Sequence, residues 1–358
     1  MSSVIERFLA ARVADGWTPG VAWWVACGDR IVESGALGNA TTLPGLEPLS
    51  LSTPFDLASL TKPLATATLL VLAEQDGLLD LGGPVGDHLE ELAGSAWREV
   101  SLLSLATHTS GLPAWKPLCA EADSLDGYLR AIADTPRAVS TGTTLYSDLG
   151  YILLGEVIAR VSGEPLAQLF RRRIAEPLGL KRTGFAGTSG SFSDAAATEQ
   201  GNAYERDLAG PAGSRYAWRE GLIRGTVHDA NAHGLGGVAG HAGLFAPIDE
   251  LARLGRELLH PRRLALRERA RGRLLRVAPG SDGRSVGFVT ASHSSAAAGI
   301  LPGDAPGHTG FTGTSIWLDP SGDLLFVLLA NRVHPRVSRR NFQLVRRGFH
   351  RLALEAAN

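Results

Sequence analysis

Ser59 and Lys62 stand three residues apart in "FDLASLTKPLATATLL", a stretch whose apolar spacing predicts a helix. Residues three apart share one helix face, so this hydroxyl and this amine can meet. At the start of a helix, unpaired N–H groups and the dipole favour developing negative charge at Ser59. A buried amine beside it can take the hydroxyl proton and create a nucleophile. The chain has three lysines (Lys62, Lys116 and Lys181), and arginine carries nearly all its other positive charge. An amine can lose its proton near neutral pH when desolvated, and a guanidinium cannot. The competing reading is a helix cap beside a snorkelling lysine. The pair alone does not choose between them.

Two further stretches change the weight. "GTTLYSDLGYILLGEVIARVSG" places Tyr146, Ser147 and Asp148 immediately before a strongly periodic helix. "GHTGFTGTSIWLDP" places His308, Thr309 and Gly310 at the start of a strand. With "SLTK" these resemble the three motifs of the serine penicillin-recognising hydrolases: S-x-x-K, Y-x-N, and K-T-G or H-T-G. The chain looks like the class C β-lactamase branch of that family, with its DD-carboxypeptidase, D-aminopeptidase and esterase relatives. The likeness extends through "LLSLATHTSGLP", "GGVAGHAGLFAPIDELARL" and "LLANRVHP", and so covers essentially the whole chain.

The resemblance implies a role for each matching residue. Ser59 would be the nucleophile that forms an acyl-enzyme, and Lys62 and Tyr146 would share the proton traffic as a pair. The backbone N–H groups of Ser59 and Phe311 would form the oxyanion hole. The strand from His308, through Thr309 and Gly310, would pair with the substrate backbone as an added strand does. No E-x-x-L-N loop of the class A type is present, so the deacylating water would be activated from the Tyr146 side. The family needs neither metal nor cofactor.

Two positions depart from the best-known pattern. Asp148 stands where Asn is usual. A carboxylate facing Lys62 favours the ammonium form, which would make Lys62 a fixed cation that acidifies Tyr146; a solvated helix-capping Asp is the plainer reading. His308 replaces the lysine of K-T-G, and histidine is mostly neutral at pH 7. Arg332 and Arg336, after "LLAN", lie where the class C branch has residues near the substrate carboxylate. They either compensate for the missing lysine or are simple surface arginines.

The elements that must position these groups follow from the pattern of the whole chain. At 358 residues, one large or two interleaved domains are expected. The first residues, "MSSVIERFLAARVADGW", form an amphipathic helix without signal-peptide character. Strand-like runs meet at a hairpin around Gly28-Asp29, and a second hairpin turns at Ser321-Gly322-Asp323. Helical periodicity dominates 62–77, 100–108, 124–134, 149–161 and 164–174, and 183–245 reads as long loops lining the cleft. "SRRNFQLVRRGFHRLALEA" closes the chain with a helix.

The fold class is therefore α/β of the α+β type. An antiparallel sheet from both chain ends, flanked by terminal helices, forms one domain (1–60 and 246–358), and a mostly helical region (61–245) is inserted into it. The formal net charge of −1 gives no general reason to bind nucleic acid or an anionic membrane, and no apolar run suffices for a membrane span. A cytoplasmic monomer or homodimer is expected, periplasmic or secreted only if a leader was removed.

Several other features are weaker. "GRSVG" at 283–287 matches a nucleophile elbow in letters, but a strand-like run follows Ser285 where a helix is needed. His228, His233 and His241 match no zinc spacing, and His108 reads as a turn residue. Cys27 and Cys119 make no disulfide framework. The expected activity is acyl transfer by a serine hydrolase on a small-molecule substrate: a β-lactam, a D-Ala-D-Ala-type peptide or a small ester. The alternative is a catalytically silent scaffold or binding protein on the same fold.

Overall fold

The computed structural model describes residues 2–187 and 192–357; residues 188–191, inside the stretch read as loops, lie outside them. Among the described residues, ten strands follow in chain order: β1 Gly20–Cys27, β2 Arg30–Thr41, β3 Glu47–Pro48, β4 Phe55–Asp56, β5 Gly184–Phe185, β6 Leu244–Ala246, β7 Val289–Thr290, β8 Pro306–Thr309, β9 Ser315–Asp319 and β10 Leu324–Ala330. Seven of them make one antiparallel sheet in the order β3-β2-β1-β10-β9-β8-β7.

The two chain ends pair at its centre, with Val21 opposite Ala330 and Cys27 opposite Leu324. Both expected hairpins are present, as β1–β2 and β9–β10. The edge strands β3 and β7 are two residues long, which limits the unpaired backbone they offer to other chains.

The run "LLFVLLA" has no polar alternation because β10 is buried on both faces. Side chains alternate across a strand. Leu325, Val327 and Leu329 therefore enter the large core shared with the inserted helices. Leu324, Phe326 and Leu328 enter a second core against the terminal helices Val4–Ala14 and Gln343–Ala357. The first helix starts where Ser3 accepts the N–H of Glu6, and it buries Ile5 and Leu9 while Val4 stays exposed.

Helices Leu102–Ala106 and Leu125–Ala133 fall inside two of the expected helical segments, and Asp148–Ser162 covers a third, 149–161, with one residue more at each end. The segment after Ser59 differs in detail: Lys62–Ala67 is π-helical before α-helix takes over at Thr68–Gln75. The stretch 183–245 is not wholly loop. It holds β5, β6 and the short helices Ala203–Ala209 and Ala230–Gly234. Elements of five to seven residues span less than two helical turns, too short for periodicity to show. Among the described residues, no helix is long and apolar enough to cross a membrane.

Candidate active site

Ser59 sits in a single 3-10 turn, Ala58–Leu60, between β4 and the helix that carries Lys62. The turn is shaped by Asp56, whose Oδ1 accepts the Ala58 N–H at 2.8 Å while Ala58 takes a left-handed φ of 47°. A non-glycine residue rarely adopts that conformation, and such strain collects at functional positions. Lys62 follows on the same face and is fully buried. Its Nζ donates to Ser59 Oγ at 3.1 Å and to the His241 carbonyl at 3.0 Å. It also lies 2.7 Å from Asp148 Oδ1.

Asp148 opens the helix Asp148–Ser162, capped by Ser147, so the motif Tyr146-Ser147-Asp148 is the entrance to that helix. Tyr146 stands beside Lys62, whose Nζ is 5.0 Å from the ring centroid. Its hydroxyl is buried, faces Lys62 and Ser59, and makes no hydrogen bond of regular geometry. Behind it, His108 packs at 4.5 Å between ring centroids and accepts the Ser147 N–H at 3.0 Å on Nδ1. His108 is a turn residue, with φ 59°, and it also supports Tyr146.

Electrostatics set the proton positions. Burial alone would pull the Lys62 pKa down, but the charge of Asp148, with Tyr146 adding to it, raises it above the ordinary lysine value. Burial pushes Tyr146 up, Lys62 opposes that, and Asp148 reinforces it. The resting pair is thus an ammonium and a neutral phenol. This corrects one expectation: Lys62 is the cation foreseen, yet Tyr146 is not acidified on balance, because desolvation outweighs the ammonium.

The H-T-G strand closes the site from the other side. Thr312 Oγ1 donates to the Asp56 carbonyl at 2.8 Å, and Thr314 Oγ1 to the Leu57 carbonyl at 3.1 Å. A Cβ on Gly310 would lie 2.0 Å from Thr314 Oγ1 and 2.6 Å from the Leu57 oxygen, so only glycine permits this approach. The result sets Phe311 against the Ser59 turn. Among the described residues, no protein acceptor takes the N–H of Ser59 or of Phe311.

His308 is buried, with Nδ1 2.9 Å from the Thr309 carbonyl; that contact assigns the proton to Nδ1 and leaves Nε2 as an acceptor. Burial pulls its pKa well below the usual histidine range, and Lys62 and Arg284 add to the effect, so the ring is neutral.

These groups line one cavity of about 540 Å³, a volume suited to a small-molecule ligand. Trp115, Tyr204, Leu208 and Phe311 supply an apolar side. An acidic side is built from Asp56, Glu205 and Asp229 with His228 and His241. Asp229 pairs with His241 at 2.8 Å, and His228 with Glu199 at 3.0 Å. Burial, and then the charge of Asp229, pushes Glu205 up to about 8.

Residues 5–348 match the family model described as Beta-lactamase. The chain belongs to the beta-lactamase family. The N-acetylmuramyl-L-alanine amidase of Bacillus subtilis (strain 168) is 29% identical over 374 residues, covering 93% of this chain and 81% of the relative. Among solved structures, EstCE1, a hydrolase with promiscuous acyltransferase activity, has a TM-score of 0.75 at 20% identity, covering 97% of each chain. A class C beta-lactamase has a TM-score of 0.73 at 19% identity, covering 98% of this chain and 94% of that one.

In this beta-lactamase family member, Ser59, Lys62, Tyr146, Asp148, His308, Thr309, Gly310 and Phe311 come together. Arg332 also lines the cavity, but its Nε is committed to the Phe311 carbonyl at 2.9 Å. Arg336 is exposed and does not line the cavity. Six residues beyond the end of β10, the chain has already left the site. Ser285 is buried, and its hydroxyl donates to the Leu274 carbonyl.

Sequence reasoning missed Asp56, the His241 carbonyl, the acidic side and Arg284. Only Arg284 carried a readable sign, lying between two glycines in "GRSVG". Among the described residues, no group of three or more His, Cys, Asp or Glu side chains is placed to hold a metal ion.

Proposed function

We propose that this member of a serine hydrolase family cleaves amide bonds of small acylated substrates through an acyl-enzyme on Ser59. The observation that carries the reading is the Lys62 ammonium, fully buried, donating to Ser59 Oγ and paired with Asp148, both of which line the cavity. A buried ion pair is costly to build, and a scaffold has no use for one aimed at a serine. The likeness to a relative named as an amidase supports amides over esters.

In this scheme the Ser59 hydroxyl proton passes to the coupled Tyr146–Lys62–Asp148 set as Oγ attacks the carbonyl carbon. Tyr146 is the proton carrier: its phenol first gives up its proton to solvent, and the phenolate, held by the Lys62 ammonium, takes the proton from Ser59. The tetrahedral oxyanion accepts from the N–H groups of Ser59 and Phe311. Tyr146 then returns the proton to the leaving nitrogen, and a water activated from the same side releases the acyl group. Thr309 and Gly310 offer backbone groups to an extended substrate.

The test is labelling with a fluorophosphonate or a fluorescent penicillin, followed by mass spectrometry. An adduct on Ser59 is expected, and Ser59→Ala should lose it together with at least about 10³-fold in kcat/KM, with the melting curve intact. No adduct on the folded protein, or an adduct that survives in Ser59→Ala, overturns the reading. Parallel turnover of a chromogenic cephalosporin, p-nitrophenyl acetate, D-Ala-D-Ala peptides and N-acylamino-acid amides ranks the substrates.

A further inference from the structure

We propose that Arg346 is a positioning residue for the oxyanion hole, acting through the one peptide unit that joins Gly310 to Phe311. The inference rests on the Ser59 reading above and adds to it a residue from the last helix.

Arg346 lies near the start of the helix Gln343–Ala357 and reaches the site from the far end of the chain. It is buried, and its Nη2 donates to the carbonyls of Gly310 at 2.7 Å and Thr314 at 3.0 Å. Its Nη1 donates to Gln343 Oε1 at 3.1 Å. These acceptors are neutral, and among the described residues no acid compensates the charge. Burial, with Arg332 adding, pulls its pKa down to about 9, so it is still a cation at neutral pH. A buried cation without an acid is costly, and the first turns of a helix disfavour positive charge. A residue that only joined this helix to the sheet could be apolar at less cost.

The turn that Arg346 grips carries the oxyanion donor. The Gly310 carbonyl and the Phe311 N–H are the two ends of one peptide group, which is trans, so they point in opposite directions. By holding the carbonyl, Arg346 fixes the direction of the N–H. Thr312 and Thr314, bonded to the carbonyls of Asp56 and Leu57, fix how far the turn stands from Ser59. The other polar groups of the turn are committed. The Phe311 carbonyl accepts from Arg332 Nε at 2.9 Å, and the Thr312 carbonyl from the Arg332 N–H at 3.0 Å. The Thr314 carbonyl also accepts the Gly310 N–H at 2.8 Å. The Phe311 N–H, with no protein acceptor among the described residues, is left for the substrate.

A cation on the carbonyl oxygen also draws electron density from the amide nitrogen, which makes the N–H a stronger donor. Direction and polarisation both count most when the attacked carbonyl becomes tetrahedral and its oxygen takes up charge. Arg346 itself exchanges no proton and forms no covalent bond.

Fluorophosphonate inactivation reads this out. The Ser59 Oγ–P bond forms, the P–F bond breaks, fluoride leaves, the serine proton passes to the Tyr146–Lys62 set, and the phosphoryl oxygen occupies the oxyanion hole. The rate constant of inactivation and the binding constant before it are measured separately. Arg346→Met should lower the rate constant about 10–100-fold, less than deletion of an oxyanion donor costs, with the binding constant within about threefold of wild type. Phenylboronic acid, which adds Ser59 Oγ to form a tetrahedral anion, should lose affinity by a similar factor. Arg346→Lys keeps a cation and should recover part of both losses, and Arg346→Gln, a neutral donor, should recover less. A purely structural clamp would lower the melting temperature without this split. An unchanged rate constant and boronate affinity in Arg346→Met, or a loss confined to the binding constant, overturns the proposal. If Arg346→Met does not fold, the other two variants decide. Arg346→Lys should react at least about fivefold faster than Arg346→Gln, and equal rates overturn the assignment. Failure of the nucleophile reading looks different, because wild type itself would then carry no label on Ser59 and both readings would fall.

Discussion

Asp148→Asn is the most informative single change, because it removes one charge from a site whose proton positions depend on it. Asp148 lies 2.7 Å from a lysine with no exposure, and its own side chain is 18% exposed. An opposite charge at that range shifts a pKa by about 1–3 units, equivalent to roughly 1.5–4 kcal/mol. Without it, burial dominates at Lys62, and the ammonium is lost at lower pH. Tyr146 also falls, because Asp148 is one of the charges that hold it up. Both limbs of the kcat/KM–pH profile should therefore move about 1–3 units toward acid.

Stability responds with a definite sign. Lys62 has a folded pKa above its unfolded value, so its contribution is full at low pH and is lost only as pH rises through the raised folded value. The variant should melt lower throughout the neutral range, by about 3–8 °C, and lose its Lys62 contribution at a lower pH than wild type does. The assay pairs rate–pH profiles with melting curves across pH. Superimposable acidic limbs, together with unchanged melting, would refute the assignment of Lys62 as a cation tuned by Asp148.

Other consequences follow from specific packing and burial. Gly287→Ala forces a side chain into a left-handed position against Ala67 and Pro63, so a loss of about 1–3 kcal/mol is expected. Its kcat/KM should fall as Pro63, directly after Lys62, is pushed aside, and a melting temperature within 1 °C of wild type would contradict the packing argument. Glu205, pushed up to about 8 from an ordinary 4.5, keeps its proton longer in the folded chain than in the unfolded one. Its contribution is present at low pH and lost as pH rises from about 4.5 through about 8. Glu205→Gln cannot ionise, so its melting temperature relative to wild type should rise steadily between acidic and alkaline buffer. Parallel pH dependence of the two proteins would argue against a protonated Glu205.

Much of this protein was legible wherever the information is local. Three-residue spacing is enough to bring Ser59 and Lys62 onto one face, and the hairpins at Gly28-Asp29 and Ser321-Gly322-Asp323 announce themselves by turn chemistry. Neither terminal hairpin makes a satisfactory sheet alone, so the two ends pair across the chain, β1 against β10. The short elements between 183 and 245 escaped because they are two to seven residues long and lie in a stretch rich in Gly, Ala, Ser and Asn.

What the tertiary structure alone decided is the charge state of the site. Asp148 could have been a solvated cap and Arg284 a surface arginine. Their roles depend on which side chains desolvate them and which acids or carbonyls reach them, and those partners come from distant parts of the chain. Burial at the cavity wall is what distinguishes Arg284 and Arg332 from the exposed Arg336. Spacing along a chain cannot express it, because desolvation belongs to a place in space.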